Sequence, residues 1–390
     1  MKIVEGYLTE KSWPFFADDE IAAAVKVLQS GRVNYWTGTE GKLFEKEFAD
    51  YIGVKHAVAL ANGTLALEAA LLGFGIGKGD EVIVPSRTFI ATATSVVIAG
   101  AKPVYADVSL ESQNITAEEI NKAITSRTRA VIVVHLAGWP CEMDSISELC
   151  KKKGILLIED CAQALGASYK GRKTGSWGDA AAFSFCQDKI ITTAGEGGMF
   201  VTNHEDVWNK VWSFKDHGKN YDVISKKTHF SGYRWVHETP GSNWRISEIH
   251  SAVGRIQLKK ADEWIKKRRE FAARYNDLFS KSPFFRITLP DEFSYHSYYK
   301  YYVFLSAEAI SKGISRDRML ENLEKNGVPA FFGSCPEIYL EKALKKTLKK
   351  GFKRLPNSTL LGETSIMLQV HPTLSFSDIE ETAAKIIQSV

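Results

Sequence analysis

The chain of 390 residues has few of the features that mark secreted, metal-binding or membrane proteins. Its five cysteines are odd in number and form no CxxC pair, which argues against a disulfide framework and a zinc site. No apolar run reaches the ~18 residues that span a bilayer. The first residues, MKIVEGYLTEKSWPFF, lack the regions of an export signal. We therefore expect a cytoplasmic protein with no resident metal.

Glycine-rich nucleotide-binding motifs are missing as well. The sequence contains neither GxGxxG nor GxxxxGK[ST], which argues against a dinucleotide- or nucleoside-triphosphate-binding α/β protein. The formal net charge is only +4, from 50 Lys and Arg against 46 Asp and Glu, and much of the excess lies in residues 342–354. We interpret that segment as a solvated helix face, and we expect no nucleic-acid partner.

Short apolar runs alternate with helical patterns between about residues 57 and 203. Several runs are apolar on both faces, as strands are when helices cover both sides of a parallel sheet. The intervening helical patterns include 64–74 and 143–152. The predicted strands are AVALAN (57–62), EVIVP (81–85), KPVYADV (102–108), AVIVVHL (130–136), ILLIED (155–160), AAFSF (181–185) and GGMFVTN (197–203).

The remaining sequence predicts a loop, a long helix and a second, smaller domain. Residues 216–242 have no periodicity and form a long connection, which is usually functional or disordered. A helical pattern from about 246 to 280 then leads into an α+β region. Its predicted elements are a strand (298–305), a helix (316–325), a strand (365–370) and a last helix with a capping box at Ser377 and Glu380. We expect a large α/β domain over 1–250 and a smaller α+β domain, bridging helix included, over 251–390.

Two charged residues follow neighbouring apolar strands. Asp160 ends ILLIED and Lys189 follows AAFSF. Taken singly, they are more typical of a helix cap and a solvated loop charge. In an open α/β sheet, however, ligands bind at the carboxyl ends of the strands. A carboxylate and a lysine there suit pyridoxal phosphate (PLP), because its pyridine nitrogen needs an anionic partner and Lys189 would supply the Schiff base.

Other side chains at this edge suit the same cofactor. The segment ANGT (61–64) lies between a strand and a helix, so its backbone N–H groups and the Thr64 hydroxyl would hold a phosphate at a helix N-terminus. Ser184 could add a second hydroxyl. Phe89 would lie near the ring and Gln163 near O3′. A core contact for Phe89 and a turn role for Gln163 are the alternatives.

Several ordered blocks resemble the DegT/DnrJ/StrS family of sugar aminotransferases from about residue 34 to the C-terminus. The blocks are NGTLALEAAL, GDEVIVPSRTFIATA, PVYADV, VVHLAGWPCEMD, IEDCAQALGASYKG, GDAAAFSF, K-IITTAGEGG and NWRISEIHSAVGRIQL. The resemblance implies an α/β fold of the fold-type I PLP-transferases, like aspartate aminotransferase, with a mainly parallel seven-stranded sheet.

The resemblance also implies the roles of individual residues. Lys189 would form the aldimine with PLP and Asp160 would pair with the pyridine nitrogen; these two are the catalytic residues. Asn243 would reach the phosphate of the neighbouring subunit's cofactor, so we expect a homodimer with shared active sites. The cofactor-binding residues that it implies are Gly63, Thr64, Phe89, Asp160, Gln163, Ser184, Lys189 and Asn243.

The reaction implied is transamination. Glutamate would convert PLP to pyridoxamine phosphate, and a nucleotide-linked 3-keto or 4-keto deoxysugar would then receive the amine, in surface polysaccharide (O-antigen) or deoxyamino-sugar biosynthesis. A cyclitol ketone is an alternative acceptor. The family's sugar dehydratases, in which a histidine replaces the lysine, are the nearest rival, and Lys189 argues against them. A non-catalytic PLP-binding regulator would need a nucleic-acid-binding module, and no segment of the sequence suggests one.

Some positions differ from the family pattern or have no assigned role. Cys186, Gln187 and Asp188 precede the lysine where other residue types are common, and Ala194 stands where glycine is often found. Glu196 either touches substrate or helps the chain to turn. If the loop 216–242 crosses the dimer interface, its members near the substrate channel would be Arg234, Trp235 and His237.

Overall fold

The structure is a computed structural model that describes residues 12–225 and 235–390. Its strands, in chain order, are β1 (His56–Leu60), β2 (Glu81–Pro85), β3 (Lys102–Ala106), β4 (Thr128–Val134), β5 (Leu156–Asp160), β6 (Ser168–Tyr169), β7 (Arg172–Lys173), β8 (Ala180–Ser184), β9 (Gly198–Thr202), β10 (Phe285–Arg286), β11 (Ser294–Tyr295), β12 (Tyr301–Leu305), β13 (Ala330–Phe331) and β14 (Ser365–Leu368).

The helices connect and cover these strands. They are α1 (Asp18–Ser30), α2 (Glu40–Ile52), α3 (Gly63–Gly73), α4 (Ala91–Ile98), α5 (Ala117–Ala123), α6 (Met143–Lys153), α7 (Glu205–Lys215), α8 (Tyr221–Ser225), α9 (Glu248–Phe279), α10 (Ala307–Ser311), α11 (Arg316–Lys325), α12 (Pro356–Thr364) and α13 (Phe376–Gln388). None of these described helices combines the length and the apolar character that a membrane crossing requires.

The large sheet has seven strands in the order β1-β9-β8-β5-β4-β2-β3. Only β9 runs against its neighbours; it is antiparallel to both β1 and β8. The prediction of a mainly parallel seven-stranded sheet is therefore confirmed, and each predicted strand is present within a few residues of its expected bounds. Because β5 and β8 are parallel neighbours, with Asp160 paired to Ala182, the segments that follow them leave the sheet at the same edge.

Both faces of the sheet are buried, which explains the continuous apolar runs. Val82 and Val84 of β2 point into a core formed with α3, α4 and α7. Ile83, between them, points to the opposite side and packs with α5 and α6. The alternation of side chains along a strand divides the apolar residues between two cores.

A second sheet, β10-β12-β14-β13, lies in the C-terminal part of the chain and is antiparallel throughout. Residues of α9 contribute to both parts: Leu258 packs with the large sheet, whereas Phe271 and Phe279 belong to the C-terminal core. The predicted boundary at 250/251 falls in the first turn of α9, and the division into two domains stays a prediction.

Two local predictions were wrong. The capping box of α13 is formed by Ser375 and Asp378, not by Ser377 and Glu380, because the helix begins two residues earlier than the pattern suggested. The basic segment 342–354 is largely exposed, as expected, but it contains only a 3₁₀ turn (Lys345–Thr347). Phe352 from this segment packs against Tyr105 and Tyr339, and this tertiary contact fixes an irregular path instead of a helix.

The predicted connection 216–242 is partly regular. It contains the short helix α8, and its residues 226–234 lie outside the described part of the chain. The two ends of the loop are joined through Asp216, which is fully buried. Its carboxylate accepts hydrogen bonds from Trp36 Nε1 (3.1 Å), Lys219 Nζ (3.0 Å) and Arg245 Nη1 (2.7 Å).

Candidate active site

A cavity of about 780 Å³ opens at the carboxyl ends of the large sheet. It combines the N-terminus of α3, the loops after β2, β5 and β8, and residues of the C-terminal region. The sequence-predicted residues that line it are Gly63, Thr64, Phe89, Asp160, Gln163, Ser184, Lys189 and Glu196. Residues separated by more than 120 positions are thus brought into one site.

Asp160 ends β5 and is only 5% exposed. Its Oδ2 accepts a hydrogen bond from Thr92 Oγ1 (2.8 Å), and its Oδ1 accepts one from the backbone N–H of Ala162 (3.1 Å). Burial raises the pKa of this carboxyl group, although the two hydrogen bonds and the charge of Lys189 oppose the shift. A buried carboxylate of this kind is stabilised by a cationic ligand, such as a protonated pyridine nitrogen.

Lys189 follows β8, and its side chain is 17% exposed. The amine lies 3.4 Å from the hydroxyl of Tyr299 and 3.7 Å from Asp188 Oδ1. The backbone is fixed separately, because the carbonyl of Lys189 accepts a hydrogen bond from Trp13 Nε1 (2.9 Å). The amine therefore reaches the cavity from a backbone held in place by the N-terminal segment.

The first residues of α3, Gly63 to Leu65, line the cavity together with Ser184 of β8. Asn62 caps the helix by accepting a hydrogen bond from the N–H of Leu65 (2.9 Å), so the first N–H groups of α3 are directed to the cavity. A Cβ on Gly63 would lie 2.6 Å from Cβ of Ser184. Only glycine allows this close approach, which places the Ser184 hydroxyl and the Thr64 hydroxyl beside the same helix N-terminus.

Phe89 and Gln163 both line the cavity. Phe89 is 65% exposed, so its ring is open to a ligand in the cavity. Gln163 uses its Oε1 to accept a hydrogen bond from the N–H of Ala137 (2.8 Å). Its amide nitrogen is thereby available as a donor toward a phenolic oxygen such as O3′.

Asn243 does not line this cavity. It is exposed and makes a backbone bridge with Asp216. Trp235, which is 86% exposed, and His237, also exposed, do not line it either. Arg234 lies outside the described residues. Asn243, Trp235 and His237 therefore do not contribute to the chain's own cavity, and their role in a neighbouring subunit stays a prediction.

The cavity-lining residues that were not predicted as site residues include a charged and polar group formed by Asp188, Tyr299 and Lys300. The Asp188 carboxylate accepts a short hydrogen bond from the hydroxyl of Tyr299, and Lys300 Nζ is 3.9 Å from Asp188 Oδ2. Burial alone would raise the pKa of Asp188, but the charge of Lys189, the Tyr299 hydroxyl and Lys300 together lower it. The sequence singled out Asp188 only as a difference from the family pattern just before Lys189. The segment SYYKYYVF (297–304), which contains Tyr299 and Lys300, indicated only a strand.

The residues present fit the cofactor that the sequence predicted. Gly63 has no Cβ, and one at this position would collide with Ser184. The buried carboxylate of Asp160 and the amine of Lys189 line the same cavity as these two residues. This combination on this sheet topology defines a PLP-dependent enzyme of fold type I.

Comparison with known proteins identifies the family. The family model of the DegT/DnrJ/EryC1/StrS aminotransferase family matches residues 15–387. The chain therefore belongs to that family, and the resemblance stated from the sequence is confirmed. It is a sugar aminotransferase that uses PLP.

Individual relatives cover nearly the whole chain. It is 37% identical to a GDP-perosamine synthase of Caulobacter vibrioides, covering 90% of this chain and 91% of the relative. A solved aminotransferase from Psychrobacter cryohalolentis superposes with a TM-score of 0.93 at 48% identity, covering 96% and 97%. A putative sugar aminotransferase from Streptococcus pneumoniae, solved in its PMP form, gives 0.88 at 26% identity, covering 97% and 98%.

Proposed function

We propose that this enzyme transfers the amino group of glutamate to a nucleotide-linked keto-deoxysugar, with the ketone at C3 or C4, in the synthesis of a surface polysaccharide or a deoxyamino sugar. The observation that carries the proposal is the placing of the Lys189 amine and the Asp160 carboxylate in one cavity of about 780 Å³. That volume has room for a cofactor and a sugar together. The name of the Caulobacter relative supports a nucleotide sugar as substrate.

Each of the predicted site residues would have a definite task in such a reaction. When bound, PLP supplies an electron sink for the carbon that carries the amino group. Asp160 would hold the positive charge of the pyridine nitrogen. Lys189 Nζ would remove the proton from Cα of glutamate and, in the second half of the reaction, deliver a proton to the sugar carbon that receives the amine. The start of α3, with Thr64 and Ser184, would bind the phosphate.

The proposal includes a homodimer with shared active sites. Asn243 and the described residues Trp235 and His237 are exposed and do not line the chain's own cavity. The exposed ring of Phe89 suits a site that is completed by cofactor or partner. In a dimer, Asn243 would donate to the phosphate bound by the neighbouring subunit.

The test compares wild type with Lys189→Ala, and Lys312→Ala is the surface control, because Lys312 is an exposed lysine that pairs with Glu308 and does not line the cavity. Wild type should be yellow, and borohydride should attach the cofactor to Lys189, as read by peptide mass. Incubation with glutamate and a panel of 3-keto and 4-keto nucleotide sugars should give an amino sugar. Lys189→Ala should fold normally but lose turnover by about 1,000-fold or more.

Two results would contradict the proposal. One is a colourless wild-type protein that does not respond to added PLP. The other is a yellow protein that aminates a keto-cyclitol but no member of the sugar panel; that result would retain the aminotransferase chemistry and replace the substrate.

A further inference from the structure

A second lysine of the cavity, Lys300, forms no side-chain hydrogen bond among the described residues, and its ammonium lies 4.8 Å from the centre of the Tyr299 ring. It directly precedes β12, its side chain is 16% exposed, and it lines the same cavity as Lys189. Its only ionic contact among the described residues is with Asp188 Oδ2 at 3.9 Å, which is too long for a hydrogen bond. The ammonium group therefore keeps three donors for which the described part of the chain provides no acceptor.

Asp188 is already shared by other groups. It accepts the hydroxyl hydrogen of Tyr299 and lies 3.7 Å from the amine of Lys189. Arg268, which is buried behind Tyr299, adds another positive charge. The Nε and Nη2 atoms of Arg268 have no hydrogen-bond partner among the described residues. Asp188 thus interacts with three cations, and the other carboxylates that line the cavity among the described residues are those of Asp160 and Glu196.

The local field makes an additional anion favourable. Burial lowers the pKa of Lys300 to about 8; the charge of Asp188 opposes this shift, and Arg268 and Lys189 add to it. His371, near Arg268 and Lys300, has a pKa lowered to about 3 by burial and by these charges, so it remains neutral. Lys300 is thus mainly charged at neutral pH but poorly neutralised by the protein.

Amino donors carry the anion that fits this position. An amino acid that reacts at the cofactor has a carboxylate on the carbon that bears the reacting amine. The cations that line the cavity among the described residues are Lys189 and Lys300, and Lys189 is used by the cofactor. Asp188 is near both amines, with its Oδ1 3.7 Å from Lys189 Nζ and its Oδ2 3.9 Å from Lys300 Nζ.

We propose that Lys300 binds a carboxylate of the amino donor. The inference rests on the proposed function, since it assigns a donor-binding residue to the same active site. Tyr299 and Asp188 act as positioning residues: the Tyr299 hydroxyl holds the Asp188 carboxylate, and that carboxylate directs the Lys300 ammonium toward the cavity.

The experiment uses the PLP-loaded enzyme and the variants Lys300→Met, Lys300→Arg and Lys312→Met. Methionine keeps the length of the side chain and removes its charge, arginine keeps the charge, and Lys312→Met is the exposed control. Binding of maleate, an unreactive dicarboxylate, is measured by calorimetry, and KM is measured separately for glutamate and for the keto-sugar acceptor.

We expect Lys300→Met to weaken maleate binding and raise the KM for glutamate by about 10- to 100-fold, as the loss of a charge-assisted hydrogen bond predicts. The KM for the acceptor and the bound cofactor, read from its absorbance, should stay within about twofold. Lys300→Arg should restore much of the maleate affinity, and the control should match wild type.

The inference is overturned if Lys300→Met binds maleate like wild type, if wild type binds no maleate, or if the KM for the acceptor rises instead of that for glutamate. A wild-type enzyme that binds maleate through Lys300 but transfers no amine from glutamate would contradict the proposed function and leave this binding site standing.

Discussion

At the scale of single residues, the buried carboxylate of Asp160 favours binding of a cationic ligand but lowers the stability of the cofactor-free protein. It is buried, with one hydrogen bond to each oxygen, and the burial raises its pKa. A group whose pKa is raised in the folded chain favours folding below its unfolded pKa, and this advantage is lost as the pH rises through the folded value. At neutral pH, therefore, the ionised Asp160 opposes folding until a cation pairs with it.

This argument predicts opposite effects of Asp160→Asn on stability and activity. The variant without cofactor should unfold at the same or a higher temperature than wild type at pH 7.5, because the buried charge is gone. Its turnover should fall by about 100-fold or more, because the charge near the pyridine nitrogen is gone as well. Thermal melts of both apoproteins and steady-state rates with glutamate measure the two effects.

The control for this prediction is Asp18→Asn, which removes a carboxylate from the exposed start of α1. It should leave the rate unchanged. An Asp160→Asn apoprotein that melts well below wild type at pH 7.5 would contradict the electrostatic argument, and one with a wild-type rate would remove Asp160 from the reaction.

At the scale of elements, the close packing of α3 on β8 forms the cradle for the phosphate. The sequence predicted a helix N-terminus at residues 61–64, but the distance between that terminus and Ser184 depends on how the helix lies against the sheet. Gly63 and Ser184 are 121 positions apart, and the Cβ that Gly63 lacks would be 2.6 Å from the Ser184 Cβ. Glycine is thus required at this position by the packing of α3 on β8 and not by the local turn.

Gly63→Ala should consequently separate α3 from β8. We expect cofactor affinity to fall by about tenfold or more and the melting temperature to decrease, since overpacking of this kind costs about 1–3 kcal/mol. Titration of apoprotein with PLP, followed by absorbance, checks the affinity. Gly77→Ala is the matched control, because its Cβ would make only a 3.4 Å contact with the carbonyl oxygen of Ala99. Equal PLP affinity in the two variants would contradict the close-packing account.

The loop 216–242 illustrates what periodicity misses at this scale. Its ends are held by the buried carboxylate of Asp216, whose donors come from Trp36, Lys219 and Arg245. The sequence showed an irregular segment rich in polar and aromatic residues. It did not show that one aspartate connects the start of the loop to the segment that carries Asn243.

At the scale of the whole molecule, the position of Asn243 outside its own cavity leads to a complementation test. Asn243→Ala should weaken PLP binding, and Lys189→Ala should be inactive. Mixed dimers of the two should contain one site with Lys189 from one subunit and Asn243 from the other. Co-expressed variants with different tags, purified as the mixed species, should recover about half of the wild-type rate at limiting PLP, since one site in two is intact.

In the control, the two variants are purified separately and mixed under conditions that prevent subunit exchange. This mixture should show no recovery of the rate. A mixed species that is no more active than the average of the two parents would contradict shared sites. A monomeric wild-type protein in light scattering would do so directly.

Much of this molecule was predictable from its sequence, for physical reasons that are local. Strands buried on both faces must be apolar throughout, so the seven strands of the sheet could be recognised, and a polar residue at the end of such a strand must lie at the sheet edge. That rule selected Asp160 and Lys189, and the ordered blocks around them gave the family. The cap of α13 was misplaced by two residues because serines at 375 and 377 have similar local context, and only the start of the helix decides between them.

Tertiary structure alone decided the rest. Tyr299 and Lys300 lie more than 100 positions after Lys189, and nothing in their own segment distinguishes them from other residues before a strand. They lie near Lys189 because the backbone N–H of Tyr299 donates to the carbonyl of Ala137 (2.8 Å) and Arg268 of α9 donates to the Tyr299 carbonyl (3.2 Å). The sequence determined the fold through burial and strand order, and its resemblance to the family indicated the cofactor and predicted Asp160 and Lys189 as the residues that would hold it. The charges around the lysine depend on packing between distant segments, which no local pattern encodes.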